Sequence, residues 1–282
     1  MTDLFDFHAP PKLYAVMGNP VAHSKSPQIH TLFATQCGIR IDYRAIQVDL
    51  GGFEQAVSNF QASGGQGLNV TVPFKLEAWK LATERSARAE RAGAVNTLKF
   101  SRQGERFGDN TDGVGLVRDM VQNLNRPVCA ANLLIVGAGG AVRGVLGPLL
   151  AEQPKLLVVA NRTIDRAAGL ADLFAHDGHI QVCGLPDLAG QSFDIVINAT
   201  AAGLSGEVPE LPDGLFTADA LGYDLMYADE PTAFMRWAKD HGATHAVDGL
   251  GMLVEQAAES FFIWHDRKPE TAPVIATLRQ VT

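Results

Sequence analysis

Short apolar, β-branched runs alternate along this chain with stretches of helical spacing. In the first part, Leu13–Met17, Ile41–Val48 and Leu68–Val72 read as strands, and Pro27–Cys37 and Gly52–Gln61 between them carry helical periodicity. From Asp112 the pattern runs helix, strand (Leu133–Val136), glycine-rich turn and helix again. Strands follow at Leu156–Ala160, Ile180–Cys183, Asp194–Asn198 and Gly222–Leu225. The end returns to helix over Leu250–Trp264 and Pro273–Gln280. Strands alternating with helices predict the α/β class, and 112–248 reads as one Rossmann-like, doubly wound parallel sheet. The late helix pair is expected to fold back onto the first part. That makes 1–111 with 249–282 one α/β domain and 112–248 the other.

Composition narrows the function classes. At about 150 residues per domain, 282 residues fit two. The content is 46% hydrophobic and 19% charged, enough to bury real cores. A net charge of −8 argues against broad binding of nucleic acid or anionic membranes, so an anionic ligand would need locally placed donors. Cys37, Cys129 and Cys183 lie far apart, which fits a reducing compartment rather than a disulfide framework. Met1–His8 lacks the basic start and apolar core of a secretory signal. No run approaches the roughly 20 apolar residues of a membrane span. The expectation is a cytoplasmic protein, monomeric or homodimeric, that acts on a small molecule. His176 and His179 have a spacing some metal sites use, but they sit in a polar loop without a third ligand. They are expected to be solvent-exposed, and no metal is expected.

The turn Gly137-Ala138-Gly139-Gly140-Ala141 joins a strand to a helix. Glycines there let backbone N–H groups approach a pyrophosphate, and the helix N-terminus favours its charge. Val142 stands where the usual spacing has its third glycine. The next strand ends in Asn161-Arg162-Thr163, with Arg166 one turn later. An NAD site usually offers a carboxylate at that point. Arginine suits a 2′-phosphate instead, so the expected cofactor is NADP. Asp165 nearby works against that reading, and both arginines would also serve as plain surface charges.

The first domain is polar in four places where a core strand would be apolar. Ser24 and Ser26 share one face of Gly18–Pro27, and Ser26 before Pro27 also fits a helix N-cap. Asn69 and Thr71 share a strand face opposite Leu68, Val70 and Val72, and Lys75 follows just past the strand's end. Asn96 lies in Ala94–Thr97, read as a hairpin strand, and Asp112 ends the dense turn Gly108–Gly113, where it could merely cap a helix. Each signal alone has a bland reading.

In order along the chain, Gly18–Pro27, Asn69–Lys75, Gly93–Thr97, Gly108–Gly113, Gly137–Ala141 and Asp248–Met252 resemble the motif set of the shikimate dehydrogenases. The resemblance spans about residues 12 to 280. It implies two α/β domains around a cleft, and NADPH-dependent, reversible reduction of 3-dehydroshikimate to shikimate on the route to aromatic amino acids. Carried over by position, it makes Lys75 and Asp112 the catalytic pair and Ser24, Ser26, Asn69, Thr71, Asn96 and Gln256 the substrate ligands. The cofactor set becomes Gly137, Ala138, Gly139, Gly140, Ala141, Asn161, Arg162, Thr163, Arg166, Leu225 and Gly249. An ammonium beside a carboxylate suits the chemistry, since a ketone being reduced gains charge on oxygen and needs a proton. The chain departs from the family pattern at Leu225, where methionine is frequent, and at Val142, where serine is common. The rival readings are a quinate/shikimate dehydrogenase of broader specificity, a non-catalytic sensor on the same fold and a folate-type dehydrogenase. Intact Ser24, Ser26, Lys75 and Asp112 favour the biosynthetic enzyme.

Overall fold

The computed structural model describes residues 10–200, 202 and 206–280, so Met1–His8 lies outside the described residues. The apolar runs near the start become β1 (Lys12–Gly18), β2 (Ile41–Gln47) and β3 (Gly65–Val70), which pair in parallel with β1 in the middle. The short strands β4 (Glu84–Arg85), β5 (Thr97–Phe100) and β6 (Arg106–Asp109) complete a six-stranded sheet ordered β2-β1-β3-β5-β6-β4. β5 and β6 form the expected antiparallel hairpin, but Asn96 stands just before β5 rather than within it. Four helices accompany this sheet: α1 (Ser26–Cys37), α2 (Phe53–Ala62), α3 (Lys75–Leu81) and α4 (Ala87–Ala92).

The bridge to the second sheet is α5 (Asp112–Arg118), which continues as one π turn over Asp119–Asn123. The second sheet holds β7 (Asn132–Val136), β8 (Leu156–Ala160), β9 (Gln181–Cys183), β10 (Phe193–Asn198), β11 (Phe216–Asp224) and β12 (His245–Val247). All pair in parallel in the order β12-β11-β10-β7-β8-β9. This is the doubly wound arrangement, with its switch point between β7 and β10. Leu133 to Val136 in β7 are wholly buried, as an apolar run should be when helices cover both faces. The helices are α6 (Gly140–Ala151), α7 (Ile164–Leu173) and α8 (Ala233–Asp240), followed by α9 (Leu250–His265) and α10 (Ala272–Gln280).

The C-terminal helices do fold back. Ile29 and Phe33 of α1 share a buried cluster with Val254, Ala257 and Phe261 of α9 and with Val274 and Leu278 of α10. Glycine sets the distances around α5. A Cβ on Gly113 would lie 2.5 Å from the Gly144 carbonyl oxygen of α6, and one on Gly115 would lie 2.8 Å from the Met252 carbonyl oxygen of α9. Each glycine costs a helix about 1 kcal/mol against alanine. Here the gain is backbone-to-backbone packing of α5 between α6 and α9, which holds Asp112 beside one and Gln256 on the other.

Three expectations shift. β3 ends at Val70, and Val72 beyond it is 60% exposed rather than packed with Leu68 and Val70. β11 begins at Phe216, well before Gly222. The pattern also did not announce α8 and β12. α8 buries only Phe234 and Ala238, and β12 is three residues long. No described helix is long and apolar enough to cross a membrane.

Candidate active site

The turn from β6 into α5 is held by a buried ion network. Asp109 accepts Nε and Nη2 of Arg88, each at 2.7 Å, and the Asn110 N–H at 2.7 Å. Arg88 also donates to Glu259 of α9 at 2.9 Å, and Glu259 pairs with Arg118 at 2.7 Å. Burial opposes ionisation of Glu259, but the two guanidinium groups outweigh it and hold the carboxyl below its ordinary range. Asn110 then orders the next residues. Its amide donates to the Ala94 carbonyl at 3.0 Å, and its oxygen accepts the Asp112 N–H at 3.2 Å. Asp112 opens α5, yet its carboxylate does not cap the helix. Lys75 Nζ donates to Oδ2 at 2.6 Å and Asn96 Nδ2 to Oδ1 at 2.8 Å. Lys75 is the first residue of α3, and its carbonyl takes the Val95 N–H at 2.9 Å, which ties it to the segment before β5 that carries Asn96.

Most of the other predicted substrate residues join this network. Asn96 Oδ1 accepts the Thr111 N–H at 2.9 Å, and Asn96 Nδ2 lies 3.3 Å from Gln256 Oε1. Asn69 Nδ2 donates to Ser260 Oγ at 3.0 Å, one helical turn past Gln256. Asn69 Oδ1 accepts the Tyr43 hydroxyl at 2.7 Å. Burial drives the Tyr43 phenol well above its ordinary pKa, against the pull of the hydrogen bond it shares with Ser26. Tyr43 is thus a neutral donor that joins Asn69 to the serine loop. Ser26 is not the cap of α1. Lys25 occupies that position, and Ser26 is the buried first residue, its N–H donating to Ser24 Oγ at 3.3 Å. Thr71 lies past the end of β3, half-buried, its N–H bonded to the Met17 carbonyl at 2.9 Å.

The glycine turn faces this network across a cleft of about 480 Å³. Lys75, Val72 and Leu76 line one wall, and Ala138 to Ala141 and Arg166 line the other. Gly137 adopts φ +113°, where a side chain would be strained and would meet the Ala199 carbonyl at 3.0 Å. A Cβ on Gly139 or Gly140 would instead have nothing within 4 Å. No side chain caps α6, whose first turn therefore opens on the cleft. These features fit a dinucleotide: room at the backbone for a pyrophosphate, a helix N-terminus for its charge, and an exposed Arg166 beyond. Asn161, Arg162 and Thr163 follow β8, with Asn161 Nδ2 donating to the Thr163 carbonyl at 2.7 Å. Leu225 packs against the core of the second sheet. A Cβ on Gly249 would lie 2.4 Å from the Leu225 carbonyl oxygen. Neither Leu225 nor Gly249 lines the cleft itself. His176 and His179 are exposed.

Residues 16–98 match the model of the shikimate dehydrogenase substrate binding domain. Residues 119–205 match that of shikimate / quinate 5-dehydrogenase, and 249–279 that of the shikimate 5′-dehydrogenase C-terminal domain. A shikimate dehydrogenase (NADP(+)) of Alkalilimnicola ehrlichii is 58% identical over 94% of this chain and 98% of its own. The chain belongs to the shikimate dehydrogenase family. Among solved structures, the Ael1 enzyme of Pseudomonas putida is 45% identical with TM-score 0.88, covering 95% of this chain and 98% of its own. The shikimate 5-dehydrogenase of Thermus thermophilus, in complex with NADP(H) and shikimate, is 31% identical with TM-score 0.85, covering 96% of this chain and all of its own.

Within this family member, the residues missed by sequence reasoning are supporting ones. Asn110 and Thr111 stood inside a quoted motif but lacked an assigned part. Tyr43 and Ser260 gave no signal, because a tyrosine in a strand and a serine in a helix are ordinary. The Arg88–Asp109–Glu259 network joins residues far apart in the chain, and no local spacing reveals such contacts.

Proposed function

We propose that this chain catalyses the reversible reduction of 3-dehydroshikimate to shikimate with NADPH, in the cytoplasm, on the route to aromatic amino acids. One observation carries the reading: Lys75 and Asp112 pair at 2.6 Å, and Lys75 lines the cleft opposite an open glycine turn. In this reading Ser24 and Ser26 bind the substrate carboxylate, while Asn69, Thr71, Asn96 and Gln256 sort its ring hydroxyls. Gly137 to Ala141 receive the pyrophosphate, Asn161, Arg162, Thr163 and Arg166 the adenosine end with its 2′-phosphate, and Leu225 and Gly249 border the nicotinamide. When bound, NADPH supplies the two electrons and one hydrogen that the carbonyl carbon gains.

The chain's own part is proton transfer and charge stabilisation. The Lys75 ammonium donates to the carbonyl oxygen as negative charge grows there and delivers the proton that makes it a hydroxyl. Asp112 holds that ammonium in place. Because Asn96 fixes the second carboxylate oxygen, Lys75 meets an acceptor of fixed direction before substrate arrives. Burying Asn69, Asn96 and Asp112 limits water near the reacting carbon. A small-molecule substrate needs no nucleic acid, and the proposed assembly is a monomer or homodimer.

The test is initial rates with shikimate or quinate, each with NADP or NAD, alongside Lys75→Ala. Turnover of shikimate with NADP, reduced about 10²- to 10⁴-fold in the variant, is expected. Comparable rates with quinate or NAD would replace the reading with a broad-specificity enzyme. Tight shikimate binding without turnover would leave a sensor.

A further inference from the structure

The cleft is not the largest cavity among the described residues. Further along α6, a groove of about 580 Å³ runs between α4 of the first sheet and α6 of the second, floored by α5. That volume suits a small ligand. Its floor and sides are apolar, from Val114, Val117, Val121, Pro148 and Phe174, and Val121 is 36% exposed.

Four arginines line the same groove in a protein of net charge −8. Three have partners: Arg88 holds Asp109 and Glu259, Arg118 holds Glu259, and Arg91 holds Asp177 at 2.7 Å. Arg143 makes no hydrogen bond or ion pair among the described residues. It lines both this groove and the cleft. Glu152 also borders the groove, about 13 Å of helix rise beyond Arg143 along α6, and it forms no ion pair with Arg143. One end of the groove therefore offers an unpaired guanidinium beside an apolar bed.

We propose that this groove is a second ligand site, for a small amphipathic carboxylate whose anionic end takes Arg143 and whose apolar body lies on the valines of α5. The site joins elements of both sheets and shares Arg143 with the cleft. An anion in the groove competes for that guanidinium with an anion in the cleft, so each weakens the other's binding by the same factor.

The probe is 3-phenylpropionate, titrated calorimetrically into the full chain with shikimate already at saturation, against 3-phenylpropionamide as the uncharged control. Shikimate fills the substrate end of the cleft, Val121→Glu separates the groove from the cofactor end, and a separate titration of shikimate alone reports on the function proposed above. Saturable binding of the acid, at least about tenfold tighter than the amide, is expected. Val121→Glu puts a like charge on the groove wall; it should abolish probe binding while the rate without probe stays unchanged. Arg143→Gln should erase the difference between acid and amide, and NADP should loosen the probe. Absence of saturation, equal binding of acid and amide, or binding indifferent to Val121→Glu would each overturn the proposal.

Discussion

The two walls of the cleft follow opposite plans. On the Lys75 side, Asn69, Asn96 and Asp112 are each no more than 6% exposed, and each is hydrogen-bonded before any ligand arrives. On the glycine side, Gly139 to Ala141 are exposed, and a Cβ at Gly139 or Gly140 would meet nothing. One wall is a finished set of directed groups; the other is a space with a helix dipole behind it. In the first, geometry and stability rest on the same bonds, so a lesion should damage both. In the second they are separable, since the backbone holds its shape without the ligand.

Acid should divide the two halves most strongly. His30 is wholly buried, stacked on Tyr43 at 4.4 Å and surrounded by Phe33, Phe261 and Trp264. Burial pushes it from 6.5 down to about 3, and the nearby His265 down to about 4, helped by Lys12, Lys99 and Arg267. Both folded values lie below the unfolded ones, so unfolding takes up protons in this range. The stability they confer is complete above pH 6.5 and is lost as pH falls toward 4 and then 3. At about 1.4 kcal/mol per unit, His30 alone represents several kcal/mol. Hydrogen exchange between pH 7 and 4 should show α1 and α9 opening before β7 and β8. Simultaneous loss of protection in both sheets would contradict this.

Asn96→Leu tests the link between geometry and stability on the finished wall. It keeps the branched heavy-atom skeleton but leaves Asp112 Oδ1 and the Thr111 N–H without the partner they now have. A loss of about 1–3 kcal/mol in denaturant stability is expected, together with a fall in kcat. A variant that loses activity at unchanged stability would show the Asn96 bonds to be dispensable to the fold. Gly139→Ala asks the reverse question of the open wall. Its φ of −88° suits alanine, so stability should hold while the methyl group raises the KM for NADP about tenfold or more. A drop in melting temperature would erase the contrast.

The same contrast explains what was legible in the sequence. The glycine turn announces itself because its chemistry is local: strand, glycines and helix are consecutive, and the doubly wound order follows from alternating periods. The buried wall is legible only in pieces. Lys75, Asn96, Asp112 and Gln256 come from four separate stretches of chain, and Gly113 and Gly115 let α5 bring Asp112 close to α6 and α9. Resemblance to a family supplied that assembly; periodicity alone had assigned Ser26 and Asp112 equally well to helix caps. Tyr43, Ser260 and the Arg88 network stayed hidden, because nothing in a strand tyrosine or a helix serine indicates which partner it will find.

The smallest expected effect lies where the two halves touch at the surface. Lys25, between the two serines, pairs at 3.1 Å with Asp229 in the loop after β11. The lysine side chain is 24% exposed and the aspartate 71%, so solvent screens the pair heavily. An exposed ion pair of this kind changes an equilibrium by no more than about fivefold. Asp229→Asn should therefore raise the KM for shikimate slightly and leave kcat alone. The difference from the unsubstituted protein should vanish in 1 M salt, where the screening length shrinks to about 3 Å. A larger change, or one that survives salt, would mean that the serine loop depends on the second half for its shape and is not finished on its own. That outcome would move Ser24 and Ser26 from the prebuilt wall to the wall that ligands and neighbours complete.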